Sequence, residues 1–296
     1  MAKTLIDKIK TSFINWLMHD ANPSSYPMCD FERIKYELRP CDVLLIEGRS
    51  RVSEVIKTIT QSVWSHAALY IGRIHEIENP ILRERVQEFY NGSPQDQLII
   101  ESLLGRGTII SPLTNYQDDH IRICRPKGIA RQDAQHVIGF AIGRLGRRYA
   151  VRHILDLARF LFPWSFLPRR WRSSLFRHNA GTPTHEICSS MIAEAFGSVQ
   201  FPILPLVKIH SKNGIQLYRR NPLLCTPSDF DYSPYFEIIK YPIFELSDRA
   251  LYRELPWNKK GILSHDEIKY KKRHAVISLE EPETPIKEIL PPKDEQ

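Results

Sequence analysis

Ser65-His66-Ala67-Ala68-Leu69-Tyr70-Ile71-Gly72 is a run of small and β-favouring residues that stops at a glycine, and it predicts a strand. Side chains alternate along a strand, so His66 shares a face with Ala68 and Tyr70, and the small neighbours leave room for another group to approach. Upstream, Val43-Leu44-Leu45-Ile46 is a short apolar run ended by Glu47-Gly48, which reads as a buried strand. Ser53 to Thr60 has the pattern of a short helix between the two. Downstream, Gln97 to Ser102, Thr108-Ile109-Ile110 and Ile121-Arg122-Ile123-Cys124 give three more strands. Five strands at this spacing imply a small antiparallel sheet or barrel.

Beyond residue 130 the period changes. Ala134, Val137, Ile138, Ala141, Ile142 and Leu145 recur at three and four, predicting a helix that stops near Gly146. Glu186 to Phe196 repeats the pattern through Ile187, Met191, Ile192, Ala195 and Phe196, with Gly197 suited to the position after the helix. Strands first and helices after them imply an α+β domain. Residues 3–18 read as an amphipathic helix, with Leu5, Ile6, Ile9, Phe13 and Leu17 on one face, and Asn22-Pro23 ends it. Packing on the domain and lying at a membrane interface both suit that helix. The expected division is therefore an N-terminal helix in 1–25, a domain in 26–255 and a polar, disordered tail in 256–296.

The chain has 296 residues and a net charge of +7, which favours anionic partners. The charge is local: nine arginines lie between Arg144 and Arg177, opposed by Asp156 alone. Within 152–180, Phe160, Phe162, Trp164, Phe166, Trp171 and Phe176 interleave with them, a mixture that suits an anionic membrane surface better than nucleic acid. A solvated basic hairpin is the plainer reading of the same residues. The five cysteines, Cys29, Cys41, Cys124, Cys188 and Cys225, form no CxxC pair, which argues against a zinc ribbon or a disulfide framework and for a reducing compartment. No stretch reaches the roughly 18 apolar residues of a spanning helix, and no cleavable signal pattern is evident. The expected location is cytoplasmic, with peripheral membrane contact through the basic segment.

Three residues have the chemistry of a nucleophilic site. Cys188 falls at the start of its helix, after Thr182-Pro183-Thr184, where the positive end of the helix dipole lowers a thiol pKa. A buried structural thiol is the plainer reading of Cys188, and a satisfied core histidine that of His66. Glu101 ends the apolar run Leu98-Ile99-Ile100, where a buried carboxylate must find a partner, and an imidazole N–H is a suitable one. Glu76, Glu78 and His75 are rivals for the third position.

Taken in order, these segments resemble the permuted NlpC-type cysteine hydrolases of the YiiX/YebB kind. The resemblance rests on Arg39-Pro40-Cys41-Asp42 before a hydrophobic strand, Ser65-His66 in a strand ending at Gly72, Ile99-Ile100-Glu101-Ser102 followed by Gly107-Thr108-Ile109-Ile110, Leu145-Gly146-Arg147-Arg148-Tyr149, Glu186-Ile187-Cys188-Ser189-Ser190, and Thr226-Pro227-Ser228-Asp229-Phe230. It implies a circularly permuted papain-like fold in which the histidine and its polar partner come first and the nucleophile helix last. It also implies Cys188, His66 and Glu101 as the catalytic set, with Tyr149, Ser65 and Ser189 near the substrate, and no metal or cofactor. The implied reaction is acyl transfer from an amide, ester or thioester of a small-molecule, lipid or peptide substrate. An inactive membrane-binding module is the alternative. Three features depart from the family pattern: Cys41 stands where glycine is usual, Ala150 follows Tyr149 where aspartate is common, and 152–180 is an unusually basic, aromatic insertion.

Overall fold

The computed structural model describes residues 12, 16, 28–103, 105–147, 189–210, 214–246 and 250–257. The chain divides into two compact units, Met1–Glu245 and Leu246–Gln296. In the second unit a single 3₁₀ turn, Leu251–Glu254, is described.

The first unit is built on strands β1 (Val43–Glu47), β2 (His66–Gly72), β3 (Leu98–Leu103), β4 (Gly107–Pro112), β5 (His120–Pro126) and β8 (Phe236–Ile239). They form one antiparallel sheet in the order β4-β3-β2-β1-β5-β8. The five expected strands are all present. The sheet is open, ending at β4 and β8, and β8 joins it from the far end of the sequence. Helices are α1 (Phe31–Glu37), α2 (Arg51–Thr60), α3 (Pro80–Phe89), α4 (Arg131–Ile142), α5 (Ser189–Ser198) and α6 (Pro227–Tyr232). Strands β6 (Leu206–His210) and β7 (Gly214–Tyr218) pair only with each other.

The strands read as continuous apolar runs because both faces of the sheet are covered. On one face Val43, Leu45, Ala67, Leu69 and Ile100 pack with Val137, Ile138 and Ala141 of α4 and Ile192 and Phe196 of α5. On the other, Leu44, Ile46, Ala68, Tyr70, Ile99, Ile121 and Ile123 pack with Ile34 of α1, Leu38 and Leu113. Phe196, Phe230 and Phe236 meet edge to face, with the Phe196–Phe236 ring centroids 5.3 Å apart and the Phe230–Phe236 centroids 5.5 Å apart. These contacts tie α5, α6 and β8 together.

Caps set several boundaries. Ser50 Oγ accepts from Ser53 N at 3.2 Å and starts α2. Thr226 and Asp229 form a capping box that starts α6, with Pro227 in its first turn. After α4 the chain turns through Gly146 (φ 76°), whose N–H donates to Thr108 O at 3.0 Å, so this segment is stitched onto β4. The expectation that Gly197 follows α5 is corrected. Gly197 lies inside the helix, which continues to Ser198, and the left-handed residue is Gln200 (φ 59°).

Cys41 has a φ of 80° and its N–H donates to Tyr70 O at 2.8 Å. The position thus requires the left-handed backbone that glycine adopts freely. Beside it, Asp42 is buried and accepts from Arg125 at 3.0 Å and 2.9 Å and from Arg39 N at 2.9 Å.

Of the expected N-terminal helix, Ser12 and Trp16 are described and both are helical. Arg51 of α2 donates to Trp16 O at 2.9 Å and lies over its ring at 4.7 Å. Most of the basic segment 144–177, and the tail from 258 on, lie outside the described residues. Among the described residues no helix is long and apolar enough to cross a membrane.

Candidate functional site

β2 and β3 run antiparallel with Leu69 opposite Ile100 and Tyr70 opposite Ile99. Extending that register puts Glu101 opposite Ala68, so His66 and Glu101 are diagonal neighbours on one face. His66 Nε2 lies 2.6 Å from Glu101 Oε2. The carboxylate is 1% exposed.

A buried carboxylate is costly unless donors surround it, and this one is surrounded. Tyr116 Oη donates to the same Oε2 atom. Ser111, opposite Ile99 on β4, supplies a further hydrogen bond. Burial pushes the Glu101 carboxyl up, but the bond and charge of His66 with the bonds of Ser111 and Tyr116 outweigh it, leaving the group below its ordinary value. Glu101 is therefore a carboxylate at neutral pH. As an acceptor it draws the N–H to Nε2 and so leaves Nδ1 as the basic nitrogen of a neutral ring. Tyr116 also stacks near His66, with ring centroids 6.0 Å apart and planes 27° from parallel.

A pocket of about 170 Å³ opens beside His66. Val52 and Ile56 of α2 wall one side, Tyr116, Ser65 and Ser102 another. Most of its serine hydroxyls are engaged internally. Ser65 Oγ accepts from Gly48 N at 2.9 Å, Ser50 and Ser53 share a bond of 2.8 Å, and Ser102 bonds Thr108 at 3.0 Å. Arg49 and Asp119, which pair at 3.1 Å, also line it.

Residues 37–160 match the family described as permuted papain-like amidase enzyme, YaeF/YiiX, C92 family. Over these residues the chain is similar to that family. No curated protein matches the chain. The matched region contains both His66 and Glu101 and stops before Cys188.

The sequence candidates are distributed as follows. His66, Glu101 and Ser65 come together at one end of the sheet. Cys188 and Tyr149 lie outside the described residues. Ser189 is the first described residue of α5; it is buried, and its hydroxyl donates to Cys225 O at 2.6 Å. The rivals for the third position follow Gly72, at the opposite end of β2 from His66. Glu76 there accepts from Arg73 N at 2.7 Å, and Glu78 pairs with Arg131 at 2.6 Å.

Sequence reasoning missed Tyr116 and Ser111. Ser111-Pro112 signals only the end of a strand, and neither residue is linked to Glu101 until the β3–β4 register and the turn Leu113–Tyr116 are known. It also missed a second histidine–carboxylate pair. His120 Nδ1 lies 3.1 Å from Glu47 Oε2 at the same end of the sheet, but on the face of Leu45 and Ala67, where Lys57 shares the carboxylate at 3.6 Å.

The three described cysteines whose thiols are perturbed are all poor nucleophiles. Burial pushes the Cys29, Cys41 and Cys124 thiols up, and all three are buried.

Proposed function

We propose that the chain is a cysteine-dependent hydrolase or acyltransferase in which Cys188 attacks an amide, ester or thioester carbonyl, His66 is the base and Glu101 holds His66 in register. The observation that carries this reading is the 2.6 Å bond between His66 Nε2 and a carboxylate withdrawn from water. An imidazole fixed in this way has its lone pair on Nδ1 and is stabilised when it becomes imidazolium, the two properties a general base for a thiol requires.

The sequence of events follows from that pairing. Nδ1 of His66 takes the Cys188 proton and the thiolate adds to the carbonyl carbon. Backbone N–H groups at the start of the cysteine helix meet the oxyanion. The imidazolium then protonates the leaving amine, alcohol or thiol as the C–N, C–O or C–S bond breaks, leaving an acyl thioester on the Cys188 sulfur. Water or another acceptor, deprotonated by His66, releases the acyl group. Tyr116 and Ser111 act through Glu101: each bond they donate keeps the carboxyl ionised and aimed at Nε2. Lipid, peptide and small-molecule acyl donors all suit this chemistry.

A panel of acyl amides, peptides, p-nitrophenyl esters and phospholipids tests the reading under single-turnover conditions. The expected result is a mass increase equal to the acyl group, located on Cys188 and absent from Cys188→Ala. Full turnover of an accepted substrate by Cys188→Ala would overturn it.

A further inference from the structure

β6 and β7 form a ribbon that belongs to neither core. Val207 stands opposite Leu217 and Ile209 opposite Ile215, so these four side chains share one face. They are 59%, 58%, 83% and 71% exposed respectively. The opposite face carries Lys208 facing Gln216, with the Lys208 ammonium over the Tyr218 ring. Both faces of the ribbon are uncovered, with Leu206 (53% exposed) and Tyr218 (40%) paired on the Lys208 face, so the four clustered aliphatics stand in water with no core beneath them.

The charge around the ribbon indicates what covers it. Between Glu194 and Asp229 the sequence contains Lys208, Lys212, Arg219 and Arg220 and no acidic residue. Arg219 and Arg220 follow directly on β7 and are exposed; Arg219 also donates to Gly197 O at 3.0 Å and Arg220 lies 3.5 Å from Asp229. Apolar side chains with cations beside them and an aromatic ring at the base match the interface of an anionic bilayer, where aliphatics enter the acyl boundary and cations meet lipid phosphates. A second copy of the chain fits less well. Four aliphatic side chains offer roughly a few hundred Å², short of the ~800 Å² per partner of a stable interface, and pairing two ribbons would bring their cations together.

We propose that the β6–β7 ribbon is a membrane-docking element that seats Val207, Ile209, Ile215 and Leu217 in the surface of an anionic lipid bilayer. This element is separate from the histidine–carboxylate site, and its test does not depend on the reaction catalysed.

The full-length protein is mixed with vesicles of phosphatidylcholine, with and without phosphatidylglycerol, and bound protein is measured by sedimentation. Binding is expected to require phosphatidylglycerol and to weaken with added salt. Ile209→Ser with Ile215→Ser is expected to reduce the partition coefficient on the order of tenfold or more, whereas Tyr36→Ser, an exposed aromatic on α1, leaves it unchanged. A second probe, Ile209→Trp, is expected to show a blue-shifted emission increment over wild type on adding anionic vesicles. Undiminished binding of the double serine variant would overturn the proposal. So would an Ile209→Trp increment that stays at the wavelength of a water-exposed indole, or a double variant whose only effect is to turn a concentration-dependent dimer into a monomer.

Discussion

His66 and Glu101 stand on adjacent strands, diagonal across the β2–β3 pair, and their side chains meet at 2.6 Å with the carboxylate almost completely out of water. Glu101→Gln tests what that contact does. A carboxamide is nearly isosteric but uncharged, so it no longer stabilises the imidazolium form of His66, and its NH₂ competes with its oxygen for Nε2. Turnover of an accepted substrate is expected to fall by about 10²–10⁴-fold with little change in KM. His66→Gln should fall at least as far. His120→Gln, which removes the pair with Glu47 and the ring contact with Trp64 on the other face of the sheet, is expected to stay within about threefold of wild type.

Tyr116→Phe removes one donor from Glu101 and leaves the ring in place. A hydrogen bond to a buried ionised group contributes about 1.5–3 kcal/mol, so urea unfolding at neutral pH should show a loss of that size. The carboxyl of Glu101 is held below its ordinary value in the fold. Its contribution to stability is therefore complete above the unfolded carboxyl value, about 4.3, and is lost as pH falls through the lower folded value. The Tyr116→Phe deficit should shrink across the same acid window. The acid limb of its pH–activity profile should move to higher pH, since the carboxyl has lost one of the groups holding it down.

Arg125 joins Asp42 and Glu37, and Arg39 N is a further donor to the buried Asp42 carboxylate. Arg125→Met is expected to cost about 3–5 kcal/mol by leaving that carboxylate without its cation. Arg125→Met combined with Asp42→Asn should recover part of the loss. Chemical denaturation of the two single variants and the double variant measures this coupling directly.

Cys41 occupies a left-handed position at φ 80°. Cys41→Gly relieves backbone strain of about 1–2 kcal/mol, offset by greater freedom of the unfolded chain and the loss of a buried sulfur. The net change should be within about 1 kcal/mol. Cys41→Val puts a β-branched side chain at a positive φ and is expected to lose about 2 kcal/mol or more, again read from denaturation midpoints.

How much of this was visible in the sequence depended on the range of the signal. The strands at Val43, His66, Leu98, Gly107 and His120 were legible because burial on both faces makes them uninterrupted apolar runs. His66 and Glu101 were legible as polar residues at the ends of such runs. α3 was missed although Asn79-Pro80 is a cap followed by a first-turn proline, because its charged face obscures the apolar period. β8 and Tyr116 were not legible, since their places follow from contacts with residues far away in the chain. Gly197 was misread because glycine is tolerated inside a helix whose packing, through Phe196 and Ile192, carries it one residue further.

The rate at which each cysteine reacts with iodoacetamide at neutral pH, followed by peptide mass spectrometry, reports on whether His66 activates Cys188. Cys188 should be alkylated first, ahead of the buried Cys29, Cys41 and Cys124, and His66→Ala should slow it by about tenfold or more. A Cys188 that reacts no faster than the buried thiols, or at the same rate with and without His66, would contradict the account.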